Sequence, residues 1–123
     1  MACFLVDYEN ESGRLLQGVS FAGLTKEDEL IIFYSKHAER VKFHVLKELE
    51  NTPAKKEYIM VETGTPNALD FQLSTYLGAC IYKNPGIKYY IVAKDCGYNC
   101  VCHFWSTMDV YVKRIDDFSS FKK

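Results

Sequence analysis

The sequence predicts an α/β fold in which a mainly parallel sheet of four or five strands is covered by helices on both faces, and three observations predict it. Continuous apolar runs of strand length occur four times, as strands buried on both faces of a parallel sheet require. Segments with apolar residues at helical spacing alternate with those runs. Glycine, proline and capping residues separate the two kinds of segment. Such β–α alternation implies right-handed crossovers between parallel strands.

Cys3-Phe4-Leu5-Val6 is the first apolar run, and it ends on Asp7, whose carboxylate emerges at the strand's C-terminal end. Residues 8–25 are polar and punctuated by Gly13, Gly18 and Gly23, which predicts an irregular loop with one short helical turn. Leu30-Ile31-Ile32-Phe33-Tyr34 is the second strand. Ser35 then serves as N-cap of a helix with Ala38, Val41, Val45 and Leu49 on one face. Tyr58-Ile59-Met60-Val61 is the third strand. After Gly64, Thr65-Pro66 reads as an N-cap with proline at the first helical position, and Leu69, Leu73, Tyr76, Leu77 and Cys80 form a helical stripe. Asn84-Pro85-Gly86 ends that helix. Tyr89-Tyr90-Ile91-Val92-Ala93 is the fourth strand and runs into Lys94-Asp95, after which Gly97 releases a helix of about ten residues through Trp105. Val110-Tyr111-Val112 is the candidate fifth strand. One domain is expected over residues 1–112, followed by a polar tail, 113–123, that contains Phe118 and Phe121 and either docks loosely or serves as an attachment point.

Hydrophobic residues make up 48% of the 123 residues and charged residues 25%, a globular balance that excludes a long disordered segment. The net charge of −1 excludes binding of duplex nucleic acid through bulk positive charge, so any nucleic-acid contact is local. No apolar run approaches the roughly 20 residues of a membrane-spanning helix. Cys3, Cys80, Cys96, Cys100 and Cys102 are an odd set without a signal-like opening segment, which fits a reduced, cytoplasmic protein.

In sheets of this class the functional crevice lies outside the carboxyl ends of the strands, where strand order reverses. Asp7 ends the first strand, Asp95 follows the fourth, and Asp70 lies early in the helix after the third, so all three are expected at one edge. Glu9, Asn10, Glu62 and Asn99 are close enough in sequence to add oxygen ligands or to hold water. Acidic side chains at strand ends are also ordinary caps and loop residues; three from separate elements favour a site. Clustered carboxylates repel one another unless a cation sits among them. Oxygen ligands suit Mg²⁺ or Mn²⁺, ions that polarise phosphoryl oxygens and supply an activated water for in-line displacement.

Phe4-Leu5-Val6-Asp7-Tyr8-Glu9-Asn10, Asn67-Ala68-Leu69-Asp70-Phe71-Gln72-Leu73 and Lys94-Asp95-Cys96-Gly97-Tyr98-Asn99 occur in that order, and the chain to about residue 112 resembles the PIN-like and NYN nuclease superfamily. The resemblance implies a three-layer α/β/α sandwich and a metal-dependent ribonuclease site. Asp7, Asp70 and Asp95 would be catalytic and, with Asn99, metal-ligating, while Glu9, Asn10 and Glu62 would support them. Relatives often carry a further acid where this chain has Asn99, and many place an aspartate where it has Tyr76. Fewer carboxylates mean weaker attraction for the ion, so one weakly held ion is expected. The same departures support the alternative of a non-cleaving module that binds RNA or a protein partner.

Ser35, Lys36 and Arg40 follow the second strand, where amides at a helix N-terminus and nearby cations would contact an RNA backbone; Lys94 is a further such cation. Each is equally well read as a capped or solvated surface residue. Tyr8 and Tyr98 adjoin the acids and are candidates to stack on unpaired bases, against the ordinary alternative of core packing. Cys96, Cys100, Cys102 and His103 lack the spacing of a zinc site, and buried free thiols account for them better. His37, His44 and His103 share no motif and receive no role. A homo-oligomer is an expectation by resemblance alone. A nucleotide-binding doubly wound domain fits less well, because Asp7-Tyr8-Glu9-Asn10 replaces a glycine-rich phosphate loop after the first strand.

Overall fold

A computed structural model of the chain describes residues 1–9, 13–62, 65–119 and 121. It contains β1 (Ala2–Tyr8), two 3-10 turns (Arg14–Leu16 and Val19–Phe21), β2 (Glu29–Tyr34), α1 (Phe43–Asn51), β3 (Lys55–Met60), α2 (Ala68–Lys83), β4 (Lys88–Val92), α3 (Tyr98–Thr107) and β5 (Val112–Ile115). The strands form one sheet in the order β3-β2-β1-β4-β5, and every pairing is parallel. The chain winds outward from β1 in one direction and then restarts on its other side with β4. Strand order therefore reverses between β1 and β4, the point at whose carboxyl ends sheets of this class bind their ligands.

Alternation along β1 divides the core into two layers. Ala2, Phe4, Val6 and Tyr8 face the 3-10 turns and α1, together with Leu16, Val19, Val45, Leu49 and Phe118. Cys3 and Leu5 face α2 and α3, together with Leu69, Leu73, Leu77, Ile81 and Tyr98. Side chains of one strand alternate between faces, so a central strand buried on both faces reads as the continuous apolar run seen in the sequence. Gly13 packs directly on α1: its φ is +75°, and a Cβ there would collide with the side chain of Val45.

Several boundaries differ from the sequence expectation. Ser35 does not cap a helix. Its Oγ accepts the His37 amide at 3.3 Å and its carbonyl accepts the Ala38 amide, closing a turn, and α1 begins only at Phe43. Serine favours both devices, and its neighbours in sequence do not separate them. Thr65-Pro66 likewise forms a turn, with the Ala68 amide bonded to the Thr65 carbonyl, and α2 starts after Asn67 at φ 64°. β3 begins three residues earlier than its apolar run, at Lys55, because as an edge strand it needs little burial.

The chain beyond residue 112 continues the fold among the described residues. β5 runs to Ile115, and Phe118 is fully buried against Phe4, with ring centroids 5.3 Å apart. Phe121 meets Phe4 edge-on at the same separation, so the apolar residues of the tail complete the α1-side core. No helix among the described residues is long and apolar enough to cross a membrane.

Candidate metal centre

β1 carries Asp7 to the crevice on the α2/α3 side of the sheet. The side chain is only 4% exposed. Its Oδ2 accepts the Tyr98 hydroxyl at 2.8 Å, while Oδ1 has no hydrogen-bond partner among the described residues. A buried carboxylate oxygen without a donor is costly unless something cationic or protonated meets it. Asp70, in the first turn of α2, brings its Oδ1 to 3.2 Å from the same hydroxyl. The helix N-terminus favours a carboxylate there.

Asp7, Glu9 and Asp70 each offer one oxygen, and the three atoms lie within 4.8 Å of one another. Their electrostatics follow from that crowding. Burial pushes the Asp7 carboxyl up to about 7, opposed by the Tyr98 hydrogen bond and reinforced by the charges of Glu9, Asp70 and Asp95. Burial also raises Glu9, with Asp70 and Asp95 adding to it. Asp70 is raised by burial first; Tyr98 opposes the shift and Asp95 reinforces it. Burial and the two neighbouring carboxylates push the Tyr98 phenol well above its ordinary range, so Tyr98 stays a neutral donor. An all-oxygen donor set with one unpartnered buried oxygen fits a hard divalent cation, whose charge relieves the repulsion.

The other predicted residues are distributed as follows. Asp95 is exposed at the same edge; its Oδ1 accepts the Gly97 amide at 2.8 Å, and it stands outside the three-carboxylate group. Glu9, expected to support the three aspartates as a further oxygen ligand or by holding water, occupies the third place in that group. The spacing of two from Asp7 was the available signal, since residues i and i+2 of an extended strand share a side. Asn99 turns its Oδ1 to the Arg114 Nε at 3.0 Å, and Arg114 also donates to the Ala93 carbonyl and to Asp116. Tyr76 contacts Glu57 through its hydroxyl and Phe33 edge-on, among the β2 and β3 side chains. Glu62 is exposed, and its backbone carbonyl receives the Gln72 side-chain amide. Asn10 lies outside the described residues.

Tyr8 and Tyr98 were candidates for exposed stacking on bases, and burial corrects that expectation for both. Tyr8 is 3% exposed and faces the α1 layer, where its hydroxyl donates to the Arg40 carbonyl at 2.8 Å. Tyr98 is 2% exposed and lies between the carboxylates. Ser35 is buried in its turn, so the helix N-terminus expected beside it is missing; Lys36, Arg40 and Lys94 are exposed. A cleft of about 490 Å³ adjoins Glu9 and is lined also by Ser35, His37, Thr65, Asn67 and Leu69. Their meeting was not readable from the sequence, where Thr65 reads as a cap and Asn67 opens a family-like segment; it arises because the loops after β2 and before α2 converge.

Cys96 and Cys100 are exposed near the start of α3, where the Cys100 thiol donates to the Gly97 carbonyl at 3.0 Å. Cys102 is half-buried, and burial pushes its thiol up against the lowering effect of Arg114.

Searches of curated proteins and of solved structures returned no match. The family model for the PIN domain matches residues 1–115, a span that takes in every strand of the sheet and all three carboxylates. With a nuclease-type α/β fold and an acidic group at its switch point, this chain belongs to the PIN domain family.

Proposed function

We propose that the protein is a metal-dependent endoribonuclease in which Asp7, Glu9 and Asp70 hold a single Mg²⁺ or Mn²⁺. The observation that carries this reading is the convergence of three carboxylate oxygens within 4.8 Å at the strand ends, with Asp7 Oδ1 unpartnered among the described residues. When bound, the cation supplies Lewis acidity and an activated water for phosphodiester hydrolysis. Asp95 stands at the mouth of the crevice and adds negative potential there, in keeping with a catalytic role beside the ligands. Lys36, Arg40 and Lys94 lie on exposed segments at the carboxyl edge and are the proposed backbone contacts for RNA. The adjoining cleft mixes polar side chains of Ser35, His37, Thr65 and Asn67 with apolar Pro66, Ala68 and Leu69, a lining that suits a nucleotide next to the scissile bond. The cytoplasm, where thiols stay reduced, is the proposed compartment.

A second reading, a non-cleaving RNA-binding or protein-binding module, has one specific observation in its favour. Asn99 and Tyr76, at the two positions where relatives often carry acids, are engaged elsewhere, by Arg114 and Glu57. The test is cleavage of end-labelled single-stranded RNA with Mn²⁺ or Mg²⁺ by wild type, Asp7→Asn and Asp95→Asn. Metal-dependent cleavage lost in Asp7→Asn supports the nuclease. Equal activity in all three overturns the site. RNA binding that is insensitive to metal, without cleavage, selects the second reading.

A further inference from the structure

We propose that Tyr98 is a positioning residue for the divalent cation: its hydroxyl ties the carboxylates of Asp7 and Asp70 together and leaves the second oxygen of Asp7 turned to the ion. The inference rests on the metal-binding reading of the same crevice and assigns a role to a side chain that supplies no ligand oxygen itself.

The two carboxylates belong to different elements, Asp7 to β1 and Asp70 to α2, and nothing in the backbone pairing of the sheet fixes one against the other. Tyr98 comes from a third element, α3, and reaches both, at 2.8 Å and 3.2 Å. Its ring is held in the core with Leu69, Leu73 and Leu5, so the hydroxyl is delivered from a packed side chain. The first turn of α3 is itself fixed by the Gly97 amide on Asp95 Oδ1 and by the Tyr98 amide on the Asp95 carbonyl.

A phenol has one proton to give and two carboxylate acceptors within reach. Sharing it draws both acceptors toward one point and offsets part of their mutual repulsion. The bond is made to Oδ2 of Asp7, and Oδ1 of the same carboxylate is the buried oxygen without a partner among the described residues. Orientation of a ligand by an outer hydrogen-bond donor is a general device of metal sites, and loss of the donor typically costs about 10- to 100-fold in metal affinity.

The experiment measures Mn²⁺ binding to the full chain by calorimetry, for wild type, Tyr98→Phe and Tyr8→Phe. Tyr8→Phe removes the hydroxyl of a comparably buried tyrosine on the opposite face and controls for the loss of a tyrosine hydrogen bond. The expected result is a loss of about 10-fold or more in Tyr98→Phe, with Tyr8→Phe within about twofold of wild type. Wild-type binding matched by a folded Tyr98→Phe overturns the role of Tyr98 and leaves the metal reading standing. Absence of Mn²⁺ binding to wild type overturns both.

A second measurement avoids the variant altogether. In wild type labelled with ¹³C at tyrosine Cζ, titration with diamagnetic Mg²⁺ is expected to move the Tyr98 resonance and leave that of Tyr8 in place. A Tyr98 resonance that stays fixed at saturating Mg²⁺ overturns the proposal even if Tyr98→Phe fails to fold.

Discussion

Asp7 and Tyr8 are consecutive residues of β1, both almost fully buried, and the strand's alternation sends them into opposite layers. On the α1 side, Tyr8 completes an apolar core; its hydroxyl has a backbone carbonyl to bond, and Phe4, Phe118 and Phe121 close the layer in mutual ring contacts. On the α2/α3 side, Asp7 meets Glu9 and Asp70, keeps one oxygen without a partner among the described residues, and is pushed up to about 7. One layer is arranged for stability. The other crowds carboxylates at a cost that a cation or a proton would relieve, a kind of perturbation that clusters at functional sites.

Breaking the functional half should have the largest effect. Asp7→Asn is expected to reduce Mn²⁺-dependent RNA cleavage by more than about 100-fold, beyond the range of outer hydrogen-bonding partners. The same variant should melt at a higher temperature than wild type at pH 8 without metal, because a neutral amide replaces a buried charge. A lower melting temperature would mean that Asp7 is held by donors beyond Tyr98.

Breaking the stabilising half should show the reverse. Phe118→Ala is expected to cost about 3–5 kcal/mol in urea unfolding, the range for truncating a buried aromatic residue. Its folded fraction should bind Mn²⁺ as wild type does. Small loss of stability would show that the segment after β5 contributes little to the α1-side core.

The pH dependence sharpens the contrast, and its sign follows from Asp7. The folded carboxyl, at about 7, lies above its ordinary value of 3.8, so the folded state holds the proton more tightly. The resulting stability is fully present below pH 4 and is lost as pH rises through about 7. The loss amounts to at most roughly 4 kcal/mol for a shift of this size. Metal-free protein should therefore lose stability over that window, and the rise in melting temperature on adding Mg²⁺ should grow with pH. A metal-induced rise that is flat from pH 5 to 8 would remove Asp7 from the ligand set.

The smallest effect is expected at Asn99. Its side-chain oxygen serves Arg114, so Asn99→Ala should leave Mn²⁺ affinity within about twofold while weakening the contact between α3 and β5. A tenfold loss would return Asn99 to the metal.

Much of this contrast was legible in the chain itself. The apolar runs located β1, β2 and β4, because strands buried on both faces admit few polar residues. Asp7, Asp70 and Asp95 reached one edge because connection rules for parallel sheets leave few alternatives. β3 and β5 were blurred, since edge strands tolerate Lys55, Lys56, Lys113 and Arg114. Ser35 and Thr65 read as helix caps but close turns, because residues that favour caps favour turns as well.

By itself, then, the sequence determined a parallel α/β sheet and delivered acids to its carboxyl edge, for periodicity and chain connectivity are local properties written in residue order. Only the tertiary structure decided which carboxylates meet, that Glu9 stands with Asp7 and Asp70 while Asp95 stays outside their group, and that Tyr98 lies between carboxylates rather than under a base. Those outcomes depend on distances between atoms of β1, α2 and α3. Packing sets such distances to tenths of an ångström, and no spacing along the chain encodes them.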